Sequence, residues 1–412
     1  MENKGKVVLA YSGGLDTSVA VIWLQSQGYE VITFTADVGQ RIDLQGARNK
    51  ALNTGASKAY VMDLRGEFFS DYIIPTLRAN ALYQDKYPLN SALSRPLIAK
   101  KLATIAKKED AVAIAHGCTG KGQDQVRIEI CANAVNPDLE VLAPVRDWHF
   151  TRDAELDFAR EHGIPVKASL ETPYSIDENM WGRSIECGAL EDPWMAPPSD
   201  AFLWTVDPWD APDAMENVEI TFLKGNPVAL NGEEMEGVEL VKELNAIAGK
   251  HGVGRIDMLE DRLVGFKSRE VYECPAASVL IDSHRKLESM TLPKQVLSVK
   301  RDLESTYADL AYVGYWFSPL KDGIDAFVDS TQEYVSGKIR VRLYKGSAVV
   351  TGAYSKDSIY DHGLATYSDG DSFDHSAAKG FIKLWGLPIK NWRQKHPEED
   401  KNELFKIGMK AE

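Results

Sequence analysis

A short turn rich in glycine and hydroxyl residues follows the first apolar segment of the chain. Residues 7–11 (VVLAY) read as a buried strand, and residues 12–18 (SGGLDTS) lead straight into an amphipathic helix. A turn of this kind directs several backbone N–H groups, together with the positive end of a helix dipole, into one small volume. An anion belongs in such a volume, and we expect a phosphate or a pyrophosphate.

The spacing of this turn separates it from two familiar phosphate loops. It lacks the longer glycine loop that ends in Gly-Lys-Ser/Thr, and it does not contain Gly-x-Gly-x-x-Gly. The Ser-Gly-Gly-x-Asp-Thr/Ser pattern resembles the loop of the ATP pyrophosphatases, which cleave ATP between its α- and β-phosphates. The alternative is an ordinary turn in which Ser12 or Asp16 caps the helix, but a cap needs only one such residue. The whole set therefore favours phosphate binding.

Length and charge narrow the class of protein. A chain of 412 residues forms two domains or one large one, and a net charge of −14 without a long run of Lys or Arg argues against nucleic-acid binding. No apolar stretch reaches the roughly 18 residues of a membrane span. The N-terminus enters the first strand without a signal-peptide core, so we expect a cytoplasmic protein with no membrane partner.

The four cysteines, Cys118, Cys131, Cys187 and Cys274, stand apart from one another. Without a Cys-x-x-Cys pair, neither a zinc site nor a redox pair is indicated, and a reducing compartment is expected. We predict that each is a small buried hydrophobic residue rather than a nucleophile, although Cys118 lies within a second polar loop.

The first part of the chain alternates apolar segments with helical patterns. We predict strands at residues 7–11, 31–36, 59–62, 112–115 and 141–143, and helices at residues 17–27, 44–53, 67–83, 96–107 and 124–134. Short runs rich in Val, Ile and Ala that alternate with helices indicate a parallel sheet covered on both faces. Ligands of such sheets bind at the carboxyl ends of the strands, where residues 12–18 fall.

The pattern changes in the second part of the chain. Residues 190–213 are rich in proline and irregular, and we expect them either to wrap over the protein so that their tryptophans are buried, or to form a plain connecting loop. An α+β arrangement follows, with β segments at 218–223, 227–230, 262–272 and 338–351 and helices at 240–249, 276–288 and 294–312. Residues 390–412 read either as a frayed tail or as an arm that reaches another subunit.

A second polar motif, HGCTGKGQDQVR at residues 116–127, follows the predicted strand at 112–115. Its three glycines allow the backbone to approach a ligand closely, and Lys121 could meet phosphate charge. Asp124 and Arg127 share one face of the opening helical turn, where a carboxylate and a guanidinium suit the two charged groups of an α-amino acid. The alternative is an exposed Asp–Arg pair worth well under about 1 kcal/mol. We favour the ligand site.

Other polar segments give weaker signals. Residues 175–179 and 183–188 gather small polar side chains in a region that we predict to be irregular, and helix capping is the expected role of each. Residues 249–257 form a glycine-rich turn that could be structural. His116 and His251 lack a partner at metal-ligand spacing, so we expect both to be structural histidines.

Three groups of residues together resemble the argininosuccinate synthase family. They are residues 10–18, residues 116–127, and the segments 175–179 and 249–272, in the family's order and spacing. The resemblance covers essentially the whole chain. It implies an enzyme that condenses citrulline with aspartate, uses ATP and Mg²⁺, and releases AMP and pyrophosphate. It also implies a homotetramer formed through the C-terminal arm.

The patterns and the resemblance together predict the fold class. It is α/β, with a parallel-sheet nucleotide domain of the ATP-pyrophosphatase type at residues 1–170. An α+β synthetase domain is expected at residues 171–386, and a C-terminal helical arm that serves oligomerisation at residues 387–412.

The resemblance also implies three binding sites. The expected ATP site comprises Ala10, Tyr11, Ser12, Gly13, Gly14, Leu15, Asp16, Thr17, Ser18, Ala36 and Gly117. The expected aspartate site comprises Thr119, Gln123 and Asp124, and the expected citrulline site comprises Tyr87, Gln123, Arg127, Ser175, Ser184, Glu260 and Tyr272. We predict that Asp16 organises the metal or the pyrophosphate and that Asp124 positions the aspartate ammonium group. No metal site of the protein's own is predicted, because Mg²⁺ is expected to arrive with ATP.

Two positions depart from the family pattern. Residue 123, commonly Asn, is Gln123 here, and residue 92, often Ser, is Ala92. Gln123 keeps the amide and extends it by one methylene, and the neighbouring Ser91 could supply the hydroxyl that Ala92 lacks. These changes concern the fit of citrulline and aspartate and leave the ATP site untouched.

The expected chemistry begins with attack of the ureido oxygen of citrulline on the α-phosphate of ATP. The adduct carries a good leaving group, AMP, which the aspartate amine displaces. Two other classes remain open. A tRNA-modifying adenylase or thiolase would need a basic face and a working cysteine, for which it must rely on Cys118. A nucleotide-sensing regulator would bind ATP without turning it over.

Overall fold

The computed structural model describes residues 3–148, 152–164, 174–368 and 370–396. The chain divides into two compact units, Met1–Ile359 and Tyr360–Glu412.

A parallel sheet of five strands forms the first part of the larger unit. The strands are β1 (Gly5–Ala10), β2 (Tyr29–Asp37), β3 (Lys58–Asp63), β4 (Ala113–Ala115) and β5 (Glu140–Leu142). They lie in the order β3-β2-β1-β4-β5, and every neighbouring pair is parallel, as predicted. The strand order reverses between β1 and β4, and open parallel sheets bind ligands at the carboxyl ends of the strands at such a point.

The apolar run of β1 is explained by its central place in the sheet. Successive side chains of a strand point to opposite faces, so Val8 packs in one core cluster while Val7 and Leu9 pack in another. All three side chains are fully buried. Both faces of the sheet are therefore covered, and a continuous apolar run rather than an alternating one is required.

Helices connect these strands. They are α1 (Leu15–Ser26), α2 (Leu44–Asn53), α3 (Arg65–Phe68), α4 (Ile74–Arg78), α5 (Asn90–Glu109), α6 (Asp124–Val135), α7 (Pro144–Asp147) and α8 (Arg152–Glu161). The single helix predicted at residues 67–83 is wrong, because a π-helical turn at Phe69–Ile73 interrupts it and α4 ends at Arg78. The helix predicted from Pro96 begins earlier, at Asn90. Proline favours the first turn of a helix, but here it lies inside α5.

Antiparallel sheets make up the rest of the larger unit. The strands are β6 (Ser175–Asn179), β7 (Gly182–Glu186), β8 (Glu216–Leu223), β9 (Asn226–Leu230), β10 (Glu233–Glu234), β11 (Arg255–Asp261), β12 (Lys267–Glu273), β13 (Gly337–Tyr344) and β14 (Ser347–Tyr354). One sheet has the order β11-β12-β7-β6 and the other β10-β9-β8-β13-β14. The helices are α9 (Gly237–Lys250), α10 (Pro275–Thr291), α11 (Lys294–Tyr312) and α12 (Pro319–Thr331).

Two expectations for this part are wrong. Residues 175–179 and 183–188 were expected to be irregular, yet most of them form the hairpin of β6 and β7. Their polar side chains hide the strand pattern because Asp177, Glu178 and Arg183 of this hairpin line a cavity instead of a core. The single strand expected at 262–272 is the shorter β12, and β11 occupies part of the segment read as a glycine-rich turn.

Of the three tryptophans in the proline-rich segment at residues 190–213, only Trp204 is half-buried, and its ring contacts the Arg41 guanidinium group. Trp194 is 96% exposed and Trp209 is 89% exposed, so the expected burial is wrong for both. The backbone anchors the segment instead. The Glu273 carboxylate, fully buried in β12, accepts hydrogen bonds from the N–H groups of residues 203, 204 and 205 at 2.8–3.2 Å.

The smaller unit contains α13 (His362–Ala365), α14 (His375–Trp385) and α15 (Leu387–Lys395). None of its described residues is buried. Of the arm predicted at 390–412, residues 397–412 lie outside the described residues. Within the described ranges of the whole chain, no helix combines the length and the apolar character that a membrane crossing requires.

Candidate active site

The turn after β1 presents an open helix N-terminus. Gly14 is the N-cap residue of α1 and carries no side chain to cap it, so the cap is neither Ser12 nor Asp16. Gly13 has a φ of 80°, which allows the sharp bend. The Ser12 hydroxyl accepts a hydrogen bond from Gly14 N–H at 3.3 Å and lies 3.2 Å from the Thr17 hydroxyl. Backbone donors and hydroxyl groups thus converge where an anion can bind.

A cavity of about 530 Å³ opens beside this turn. Six of the eleven predicted ATP residues line it: Ala10, Tyr11, Ser12, Thr17, Ala36 and Gly117. The other five, Gly13, Gly14, Leu15, Asp16 and Ser18, belong to the same turn but are not part of the lining. A cavity of this size suits a nucleotide.

The second polar loop closes against the first. A Cβ atom added at Gly117 would lie 3.0 Å from the Thr17 methyl group, so the close approach of the two loops depends on this glycine. His116 is fully buried and supports the loop. Its Nδ1 accepts a hydrogen bond from Cys118 N–H at 3.2 Å, and its Nε2 lies 3.2 Å from a Glu129 carboxylate oxygen. Both ring nitrogens thus have partners within the protein, as expected of a structural histidine, although His116 also lines the cavity.

A chain of ion pairs starts at the second loop. Asp124, the first residue of α6, accepts hydrogen bonds from Arg127 at 2.9 Å and from Arg95 of α5 at 2.6 Å. Arg95 also donates to Asp177 of β6 at 2.7 Å. Arg127 is buried, which excludes the simple exposed pair that the sequence left open. Burial raises the pKa of Asp124, but the charges of Arg95 and Arg127 outweigh burial and bring this pKa to about 2.

Arg127 connects this chain to a group of buried tyrosines. Its Nε donates to the backbone oxygen of Tyr312 at 2.8 Å, and its guanidinium carbon lies 4.7 Å from the centre of the Tyr312 ring. The ring of Tyr83 stacks on the ring of Tyr312, with ring centres 3.6 Å apart and an angle of 2° between the ring planes. Tyr87 and Tyr272, both predicted citrulline residues, stack with ring centres 4.2 Å apart.

The Glu260 carboxylate accepts hydrogen bonds from hydroxyl groups of this tyrosine group. Tyr272 and Tyr312 each donate a hydrogen bond of 2.5 Å to it, one to each carboxylate oxygen. Burial, followed by the nearby Glu260 charge, raises the pKa of Tyr312, so its hydroxyl stays protonated and donates. The predicted residues Glu260 and Tyr272 are thus brought together, with Tyr312 as a third member.

The two positions that depart from the family pattern both lie in this region. Gln123 donates from its amide nitrogen to the Tyr312 hydroxyl at 3.2 Å, while its buried amide oxygen has no hydrogen-bond partner among the described residues. Such an acceptor suits an N–H donor of a ligand. Ala92 is buried and its side chain has no polar group, although its backbone N–H donates to the Tyr87 hydroxyl at 3.4 Å. The Ser91 hydroxyl lies 2.7 Å from the Ser184 hydroxyl. Ser91 therefore does place a hydroxyl beside a predicted citrulline residue.

Family models and relatives match this chain over nearly its full length. Residues 6–165 match the description "Arginosuccinate synthase N-terminal HUP domain", and residues 174–392 match "Arginosuccinate synthase C-terminal domain". The argininosuccinate synthase of Oceanobacillus iheyensis is 53% identical over 409 residues, which cover 99% of this chain and 98% of the relative. That of Bacillus subtilis is 55% identical over 390 residues, which cover 95% and 97%. The chain belongs to the argininosuccinate synthase family.

Membership confirms the fold class predicted from sequence. A HUP-type domain with a parallel sheet precedes a synthetase domain with antiparallel sheets and a helical end. It also confirms that the chain is an enzyme of the argininosuccinate synthase type and that ATP is a substrate of this family.

Two predicted residues stand apart from the others. Ser175 is exposed at the start of β6, and Thr119 is exposed on the second loop. For a member of the argininosuccinate synthase family, sequence reasoning missed three residues with direct contacts to the predicted site: Arg95, Asp177 and Tyr312. Arg95 lies four residues after Ser91, so both residues are on the same side of α5. Sequence reasoning missed this relation because the helix was predicted to begin only at residue 96. Asp177 lies in the polar segment 175–179, for which a capping role was expected, and nothing in the local sequence marks Tyr312.

Proposed function

We propose that the cavity beside the β1–α1 turn binds ATP and that citrulline and aspartate bind in the adjoining polar cluster. Family membership gives the overall reaction, the ATP-dependent ligation of citrulline with aspartate in arginine biosynthesis. The observation that carries the assignment of sites is the continuous series of ion pairs from Arg127 through Asp124 to Arg95. It joins the predicted citrulline and aspartate residues to a residue of the cavity wall.

The first step is activation of citrulline. The ureido oxygen attacks the α-phosphorus, and the bond to the bridging oxygen breaks, so that the electron pair leaves with pyrophosphate. The backbone donors at the start of α1 and the hydroxyl groups of Ser12 and Thr17 stabilise the departing pyrophosphate. Alignment of the bound substrates supplies roughly 7–11 kcal/mol of the barrier.

The second step is displacement of AMP by the aspartate amine. The ammonium group first loses a proton to solvent, the bond between the amine nitrogen and the ureido carbon then forms, and the bond from that carbon to the AMP oxygen breaks, so that the electron pair leaves with AMP. Asp124 stays ionised because its pKa is about 2, so it offers a fixed negative charge to the ammonium group of aspartate. The same low pKa makes Asp124 a weak base, and its role is to position the amine rather than to remove its proton. The Gln123 amide oxygen accepts an N–H of one of the two amino-acid substrates.

Mg²⁺ fits this site as a companion of the nucleotide. Among the described residues, no group of three or more His, Cys, Asp or Glu side chains is placed to hold a metal ion. Mg²⁺ commonly binds through substrate phosphates and one or two carboxylates, and Asp16 in the first turn of α1 is the carboxylate we assign to it. When bound, the ion neutralises phosphate charge.

Co-substrate dependence tests the proposal. Purified protein with ATP and Mg²⁺ is given citrulline, aspartate, both or neither, and pyrophosphate and argininosuccinate are quantified. We expect sustained release of both products in equal amounts only in the complete mixture. Absence of pyrophosphate from the complete mixture would favour a nucleotide sensor and contradict the proposed function.

We also propose that residues 387–412 act as an oligomerisation arm of a cytoplasmic homotetramer, with the nucleotide and synthetase domains at 1–170 and 171–386. Large apolar side chains of the arm support this: Ile389 is 70% exposed, Trp392 is 55% exposed and Leu387 is 40% exposed. In light scattering after size exclusion, Ile389→Glu with Trp392→Glu should lower the mass from about four chains. Lys390→Glu on α15 is the matched control. An unchanged mass for the double variant would contradict the arm.

A further inference from the structure

Arg95 is a cation held firmly at the wall of the nucleotide cavity. One Nη2 hydrogen is directed to Asp124 at 2.6 Å and the other to Asp177 at 2.7 Å. A third hydrogen bond joins Nη1 to the Ser94 hydroxyl at 3.0 Å. Because a guanidinium group is planar and rigid, these three bonds fix its orientation as well as its position.

The same guanidinium group keeps donors available. A guanidinium group has five N–H donors, and the contacts with Asp124, Asp177 and Ser94 use three of them. For Nε–H and the second Nη1–H, the described residues supply no acceptor. Donors of a fixed cation at a cavity wall suit the oxygens of an anionic ligand.

The position of Arg95 selects which anion it meets. Asp177 lies opposite Ser184 across the β6–β7 pair, and Ser184 lies opposite Tyr272 across the β7–β12 pair. Directly opposite side chains in antiparallel strands are about 4.5–5.5 Å apart. Arg95 thus lies between predicted citrulline residues and a cavity that Ser12 and Thr17 also line. The α-phosphate is the part of ATP that must meet citrulline.

We propose that Arg95 contacts the α-phosphate of ATP and stabilises the charge that develops there while citrulline is activated. Asp124 and Asp177 act as positioning residues for it. The proposal rests on the proposed function. In the step concerned, the bond between the ureido oxygen and the α-phosphorus forms as the bond to pyrophosphate breaks. Arg95 neither gains nor loses a proton, and its fixed donors meet the phosphate oxygens throughout.

Single-turnover kinetics without aspartate isolates this step. Enzyme in excess is mixed with ATP, Mg²⁺ and citrulline, and pyrophosphate is followed by rapid quench. We expect Arg95→Met to slow pyrophosphate formation by about 100- to 1,000-fold, the range for loss of one transition-state donor group. Arg95→Lys keeps the positive charge but loses the planar guanidinium group, so its rate of pyrophosphate formation should lie between those of the wild type and Arg95→Met. Arg78→Met, at a residue that pairs with Asp329 and Asn226 away from the cavity, is the matched control.

Each remaining outcome supports or overturns the assignment. A wild-type rate of pyrophosphate formation in Arg95→Met would overturn the assignment. If the same variant also showed a raised KM for aspartate, Arg95 would serve only to hold Asp124 in place. Circular dichroism identifies a misfolded variant. In that case Asp177→Asn decides, because it should slow pyrophosphate formation by about 10-fold with KM for aspartate unchanged. If the wild-type enzyme forms no pyrophosphate from ATP and citrulline, the proposed function itself fails.

Discussion

Removal of the Tyr312 hydroxyl tests the tyrosine group most selectively. Tyr312→Phe deletes the 2.5 Å hydrogen bond to Glu260 and the 3.2 Å contact with the Gln123 amide. The phenylalanine ring keeps the stacking on Tyr83 and the contact with the Arg127 guanidinium group. The change therefore removes one hydroxyl that contacts the predicted citrulline residues Glu260 and Gln123, and it leaves the shape of the site intact.

The expected loss follows from the energy of a hydrogen bond to a charged group. Such a bond contributes about 1.5–3 kcal/mol, and every 1.4 kcal/mol is about a factor of ten. Glu260 keeps its bond from Tyr272, so the carboxylate is not left unpaired. We expect kcat/KM for citrulline to fall by about 10- to 150-fold. KM for ATP should change little, because Tyr312 does not line the nucleotide cavity.

Steady-state kinetics with each substrate varied in turn measures this effect. Tyr307→Phe is the matched control, because Tyr307 is a buried tyrosine of the same helix, α11, outside the predicted citrulline residues. It should leave KM for citrulline unchanged. The account of the citrulline site is refuted if Tyr312→Phe keeps kcat/KM for citrulline within about twofold of wild type, or if it impairs all three substrates equally.

Three further predictions concern individual side chains. Asp124→Asn should raise KM for aspartate far more than it slows pyrophosphate formation, and because the pKa of Asp124 is about 2, KM for aspartate of the wild type should show no limb from this carboxylate between pH 5 and pH 9. Burial raises the pKa of the Cys118 thiol to about 12, so Cys118→Ala should keep its turnover; a complete loss would revive the thiolase alternative. Glu273→Gln should lower the free energy of unfolding by about 3–5 kcal/mol in urea titrations, because it breaks a buried pair with Arg183 and disturbs the 203–205 backbone; an unchanged midpoint would contradict that anchoring role.

Local sequence patterns predicted the parallel sheet because each of its elements is specified locally. Val7, Val8 and Leu9 form a continuous apolar run, and a glycine turn then opens a helix. Such a run indicates a strand covered on both faces wherever it occurs. The strand, the turn and the start of α1 were therefore predictable without knowledge of the rest of the chain.

The antiparallel part was harder to predict because its strands do not carry a core pattern. In β6, Asp177 faces the cavity and pairs with Arg95, so a charged residue stands where alternation would require an apolar one. The proline-rich segment is held by backbone N–H groups on Glu273, and no sequence pattern reports such a contact. Residues distant in sequence set these positions.

The predicted site residues lie in recognisable sequence motifs, whereas some of their partners lie far from those motifs in the sequence. Asp124 and Arg127 are three residues apart, so their proximity could be foreseen from helix geometry. Tyr312 lies 189 residues from Gln123 and yet receives a hydrogen bond from it. Only the packing of α11 beside the second polar loop brings these side chains together.

Oxygen transfer from citrulline to AMP tests the central claim most directly. Citrulline labelled with ¹⁸O in its ureido group is converted with ATP and aspartate, and the AMP is weighed by mass spectrometry. Attack of the ureido oxygen on the α-phosphorus leaves that oxygen on the phosphate, so we predict one ¹⁸O atom in each AMP. AMP without the label would show that the oxygen never bonded to phosphorus and would contradict the proposed route.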